Sequence, residues 1–163
     1  MNGKSYNFFD VGGTRVERRK WVHAMSQADV MVYTFDVACS GDTTMYNGLD
    51  AMDEQVNVLK SLLDSQRVTT GKAVVIFTKI DKLTPRVMAR LLSSELFQTY
   101  GGDNSSVEGA LGHLARELAS LGEKTWKRIT FWKASIAWSS TELADVALTA
   151  LEQLDTEIDD LNG

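Results

Sequence analysis

The stretch FFDVGGTRVERRKWVHAM, Phe8 to Met25, decides how the rest of the chain is read. A short apolar run ends in an aspartate, two glycines follow, and a strongly charged segment closes on a tryptophan. Locally this reads as a strand, a tight turn and the opening of a charged helix. What such a turn can do depends on the sheet behind it. In a parallel sheet, ligands collect beyond the carboxyl ends of the strands.

Working outward, further apolar runs rich in β-branched and aromatic residues are expected as strands. They are Val30 to Val37, Ala73 to Thr78 and Arg128 to Lys133, joining a first strand from Tyr6 to Val11. The second and third are nearly continuous in apolar residues, which suits buried parallel strands. Helical spacing separates them. Leu49, Met52, Val56, Leu59 and Leu63 repeat at steps of three and four. So do Val107, Leu111, Leu114, Leu118 and Leu121, and again Leu143 through Leu161. Ser105 with Glu108, and Ser139 with Glu142, match the S-x-x-E box of helix starts. Thr84-Pro85 suits an N-cap followed by proline in the first turn. Strands alternating with helices imply an α/β fold: three layers, a mostly parallel sheet and helices on both faces.

The chain has 163 residues, 44% hydrophobic and 24% charged, which suits one domain with one core. Its net charge of -5 speaks against general nucleic-acid binding. No apolar run approaches the roughly 20 residues of a transmembrane helix. MNGKSYNFFD lacks the apolar centre of a secretory signal. Cys39 is the only cysteine and cannot form an intrachain disulfide, so a reducing compartment is expected. His23 and His113 show no metal-type spacing, and Met25, Met45, Met52 and Met88 read as packing residues.

Three places follow strands and carry chemistry. Asp10 can hold Mg2+ directly or through water, since Mg2+ keeps several waters. Gly13 lets a backbone N–H approach a phosphate without a Cβ in the way. Thr78-Lys79-Ile80-Asp81 follows the AVVIF strand. A carboxylate there can accept from guanine N1–H and the 2-amino group together, a pair of donors adenine lacks. A site built for such bonds rejects the analogue by about 10⁴-fold or more. The Lys79 stem can lie along the base face. Ala134-Ser135 ends RITFWKAS and would offer a backbone N–H to the guanine oxygen. Taken singly, each has an ordinary reading as a turn or a charged loop. Together, in this order, they are far more specific.

Their order and positions resemble guanine-nucleotide-binding proteins. DVGGTRVERRKWVHAM narrows the match: the ERRKW run resembles switch II of the alpha subunits of heterotrimeric G proteins and is foreign to small Ras-like and ARF-like GTPases. VVIFTKIDKL is similar to their guanine-recognition strand and loop, and ITFWKAS to the strand before their last helix. The similarity runs from about Ser5 to the last helix. It implies a partial Ras-like GTPase domain of the P-loop NTPase fold, with residues 1–163 as a single unit. The cofactors it implies are GTP or GDP with Mg2+. Asp10 would help hold the metal, Gly13 would sense the terminal phosphate, and Thr78, Lys79, Asp81 and Ala134 would surround guanine. Arg15, Glu17, Arg18 and Arg19 would form the charged switch helix. Arg18, Lys20 and Trp21 would face a beta-gamma complex, and a membrane receptor would be the second partner. The implied location is cytoplasmic, at the inner face of the plasma membrane in a full-length form.

The chain also departs from that pattern. Thr14 stands where the family has a glutamine that orients the attacking water, so the catalytic position predicts weak hydrolysis. The guanine loop reads TKID where NKxD is usual. The last motif has two registers, Ala134 from KAS or Ala137 from SIAW, with Ala134 preferred for its place next to the strand. No G-x-x-x-x-G-K-[ST] occurs; GKS at Gly3 to Ser5 leads straight into an expected strand. The first switch and the inserted helical domain are missing as well. In the family the strand before the phosphate loop lies between the first strand here and Val30–Val37. Without it two strand edges are exposed, and each unpaired buried backbone group costs about 1–3 kcal/mol. Either those two strands close up and pair, or the native protein is longer. Two functions follow: a GTP-controlled signalling switch, incomplete and weak in nucleotide binding, or a non-catalytic module that presents the charged helix to a beta-gamma-like partner.

Overall fold

The architecture is that of a computed structural model, which describes residues 7–43, 48–65, 72–122, 128–133 and Thr149. In chain order the elements are α1 (Arg18–Met25), β1 (Val30–Asp36), α2 (Ala51–Asp64), β2 (Lys72–Thr78), α3 (Pro85–Leu92), α4 (Val107–Ser120) and β3 (Arg128–Lys133). Short 3-10 turns occupy Ile80–Lys82 and Glu95–Phe97.

β2 lies between β1 and β3 and pairs parallel with both, placing Val75 opposite Tyr33 and Phe131. Its sequence, KAVVIFT, is apolar at five successive positions because both of its faces are covered. Ala73, Val75 and Phe77 join Met31, Phe35, Leu59, Leu63, Leu114 and Leu118 in one core. Val74 and Ile76 point the other way along the pleat and are just as buried. Phe77 is gripped by rings on both neighbouring strands, edge-on to Phe35 at 6.0 Å and stacked on Phe131 at 5.7 Å. The expected parallel α/β architecture is therefore present. No helix among the described residues is long and apolar enough to cross a membrane.

Side chains set the helix starts. Asp50 caps α2 by accepting from the Met52 N–H at 2.8 Å. Thr84 caps α3 by accepting from the Val87 N–H, with Pro85 in the first turn as expected. The start of α4 differs from its reading by one residue. Ser106, not Ser105, accepts from the Gly109 N–H. Ser105 instead gives both its N–H and its hydroxyl to the Asp103 carboxylate, so a local Asx-type turn outcompetes the box. Arg15 and Glu17 likewise fall in the turn before α1 and not within the helix.

The first expected strand is the largest correction. Residues 7–11 are irregular, and Phe8 and Phe9 are 51% and 61% exposed. Nor do they pair directly with β1, one of the two outcomes anticipated for that edge. Apolar patterning makes a segment suitable for a strand, but a strand exists only where a neighbour takes up its backbone groups. A groove of about 800 Å³ runs between residues 8–13 and Met31–Thr34. The expected last helix, with Ser139, Glu142, Ala134 and Ala137, lies outside the described residues.

Candidate functional site

The carboxyl ends of β1 and β2 build one cluster. The ladder sets Asp36 beside Thr78, so the residues just after each strand are neighbours. The Thr78 hydroxyl donates to the Phe35 carbonyl at 3.2 Å, and the Val37 N–H donates to the Thr78 carbonyl at 3.2 Å. The hydroxyl thus stitches the loop to β1 although the longer amide of NKxD is missing. Lys79 comes next with φ 61° and ψ 31°, the left-handed region that disfavours a side chain with a Cβ. Such backbone strain collects at functional sites. Its ammonium donates to the Asp36 carboxylate at 2.5 Å, and that bond, outweighing burial, raises the lysine above its usual pKa.

Asp36 is held in turn. Its second carboxylate oxygen accepts from the Ala38 N–H at 2.9 Å. The Gln55 amide of α2 reads its backbone on both sides, accepting from the Asp36 N–H at 2.8 Å and donating to the Asp36 carbonyl at 3.2 Å. Cys39, half-buried, donates to the same carbonyl. Burial first, then the charges of Asp36 and Asp50, push its thiol up to about 12, so it is inert as a nucleophile at neutral pH. Asp81 sits in the 3-10 turn after Lys79, exposed, with the Lys82 ammonium at 3.6 Å.

The glycine turn builds a second cluster. Asp10 and Gly13 are exposed and line the 800 Å³ groove with Arg18 and Trp21; Thr78, Lys79 and Asp81 do not line it. A Cβ on Gly13 would meet nothing within 4 Å, whereas one on Gly12 would run into the Glu17 carboxylate. That carboxylate also accepts from the Thr14 hydroxyl at 2.9 Å. The Trp21 indole N–H donates to the Gly12 carbonyl at 2.9 Å, tying the helix back to the turn. The Arg18 guanidinium lies 5.7 Å from the Trp21 ring centroid. Trp21 is half-buried and packs against the core, while Lys20 is exposed.

A buried acid anchors this helix to α2. Glu54, only 8% exposed, accepts from Arg18 at 2.7 Å and from Arg15 at 3.3 Å. Burial pushes its carboxyl up, but the Arg18 and Arg15 hydrogen bonds and charges outweigh this and hold it below its ordinary value. Sequence reasoning passed over Glu54, Asp36 and Gln55. Each carried a faint signal: Glu54 interrupts a helix otherwise read for its apolar face, and Asp36 is an acid closing an apolar strand.

A family model described as G-protein alpha subunit matches residues 1–153. A guanine nucleotide-binding protein alpha-1 subunit of Caenorhabditis elegans is 23% identical over 131 residues, covering 79% of this chain and 37% of that relative. A guanine nucleotide-binding protein subunit alpha of Coprinellus congregatus is 25% identical over 153 residues, covering 92% of this chain and 42% of the relative. An alpha-2 subunit of Mycosarcoma maydis is 27% identical over 127 residues, 76% of this chain and 35% of the relative. The chain thus spans well under half the length of these relatives. With the family model covering nearly the whole chain, the parallel sheet and its strand-end loops have a common origin: the chain belongs to the G-protein alpha subunit family.

Proposed function

We propose that this chain is the guanine-recognising and switch-bearing part of a GTP-controlled signalling protein, with residues 1–163 forming one partial Ras-like domain. The observation that carries this reading is the loop after β2, where a strained Lys79 and the neighbouring Asp81 follow a buried parallel strand in a family member. In this reading Asp81 accepts from the guanine N1–H and 2-amino group, and the Lys79 stem covers the base. Ala134 would complete the base contacts from the chain after β3. The chemistry of the turn fits Mg2+ only in part. Asp10 supplies a single exposed carboxylate, enough to hold the ion through water beside a nucleotide phosphate but not to bind it alone. The 163 residues contain no lysine-bearing phosphate loop, so on their own they bind GTP and GDP weakly.

Hydrolysis is weak for a second reason. The Thr14 hydroxyl is already engaged by Glu17 and is too short to do the work of a glutamine amide. Arg18, Lys20 and Trp21 form the face offered to a beta-gamma complex, and receptor coupling places a full-length form at the inner face of the plasma membrane. One observation favours the alternative, a non-catalytic binding module. The Arg18–Glu54 and Trp21–Gly12 bonds fasten the charged helix to α2 and to the glycine turn. Titrating the chain with fluorescent GTP in Mg2+, with ATP as control, separates the two. Saturable, guanine-specific binding supports the switch. Capture of a beta-gamma pair, lost in Trp21→Ala, with no GTP binding supports the module. Rapid single-turnover cleavage of GTP would refute the role given to Thr14.

A further inference from the structure

We propose that Asp36 is a positioning residue for guanine recognition: from the end of β1 it clamps the Lys79 ammonium and so fixes the lysine stem as a preformed wall of the base site. The inference rests on the reading of Lys79 and Asp81 as the guanine-recognising pair. It deepens that reading by adding a residue from a different strand and a second, Gln55, behind it.

Four observations support it. The parallel register puts Asp36 opposite Thr78, one residue from Lys79, so the two side chains leave neighbouring strand ends on the same edge of the sheet. Both carboxylate oxygens of Asp36 are engaged, one by the Ala38 N–H and one by Lys79. Gln55 closes two hydrogen bonds on the Asp36 backbone from α2, so this strand end cannot rotate without breaking a pair of contacts. At the other end of the clamp the Lys79 backbone is held at φ 61°. A lysine pinned at its Cα and at its Nζ has few conformations left. A flexible stem would lose its freedom on binding a base, whereas this one has lost it beforehand. Pairing also spends the lysine charge on Asp36, so Lys79 contributes its methylenes to the base face and little positive field to phosphates.

The test uses the full chain, with Asp36→Asn as the variant. Asparagine keeps the size of the side chain and an oxygen for the Ala38 N–H but loses the charge that holds Lys79. Lysines are pulse-labelled with an amine-acetylating reagent and read by mass spectrometry, with Lys60 as the internal reference because it is exposed and outside the proposed site. Lys79 should label several-fold more slowly than Lys60 in the wild type, and several-fold faster in Asp36→Asn than in the wild type, with Lys60 unchanged. Saturating GDP should slow Lys79 labelling further in the wild type, and GDP affinity should fall about tenfold in the variant, while ADP, the control, protects Lys79 in neither protein. Equal Lys79 rates in the two proteins overturn the clamp. A labelling difference with unchanged GDP affinity makes the ion pair a structural latch and overturns its role in recognition. No GDP binding by the wild type, in titration or protection, removes the underlying guanine reading whatever the labelling shows. Circular dichroism on both proteins establishes that the variant is folded.

Discussion

The end of β2 and the glycine turn carry the two sequence motifs that look most alike, a short acidic loop after an apolar run, yet the molecule builds them in different ways. The β2 loop hangs from a ladder. Seven paired positions with β1 and six with β3 fix its entry, and the core behind it is fully buried. The glycine turn hangs from tethers. Residues 7–11 are irregular, and the turn is held chiefly by the Trp21–Gly12 bond and by the Arg15 and Arg18 bonds to Glu54. A loop on a ladder is as stable as the sheet. A loop on tethers opens at the cost of a few hydrogen bonds, which is the property a switch element requires.

The ladder is broken most directly at Phe77→Ala. This removes a ring packed between Phe35 and Phe131 and should cost about 3–5 kcal/mol, read as a large drop in the denaturant midpoint. Both regions should lose protection in hydrogen exchange, because the sheet carries the turn as well. Glu54→Gln strikes only the tethers. Two arginine hydrogen bonds lose their anionic acceptor, at about 1–3 kcal/mol. Amides of residues 10–25 should exchange faster while those of β2 keep their protection. Equal deprotection of both regions would erase the contrast drawn here.

Acid should do reversibly what that substitution does permanently. The Glu54 carboxyl is held below its ordinary value of 4.5 in the fold. Its contribution is therefore fully present above about that pH and is lost as the pH falls through the lower folded value. The stability gap between wild type and Glu54→Gln should be constant near neutrality and close on acidification. A gap that persists at the acid end would show that packing, not charge, is lost in the variant. Smallest of the four, Trp21→Phe removes one hydrogen bond and keeps most of the ring, at about 0.5–1.5 kcal/mol. Its effect on exchange should stay within the turn and the first part of α1.

The same contrast explains what was legible beforehand. β2 could be read from KAVVIFT because continuous burial leaves a continuous apolar string. α2 and α3 could be read from spacing and caps, which are local properties. Residues 7–11 were misread because a string that suits a strand is silent about whether a partner edge exists. Asp36 and Gln55 were invisible as a pair because nineteen positions separate them and their contact is made by backbone groups of one and the amide of the other. Glu54 and its arginines were hidden likewise, 36 and 39 positions apart.

By itself, then, the sequence determined the class of fold, three parallel strands read at 30–37, 73–78 and 128–133 and found within one residue of those bounds, and the family, through motifs whose residues are neighbours along the chain. Only the tertiary structure decided which charges meet: Asp36 with Lys79, and Glu54 with Arg15 and Arg18. The reason is physical. Periodicity and capping are energies of adjacent residues and are written in order, whereas an ion pair depends on the distance between atoms that the order alone does not contain.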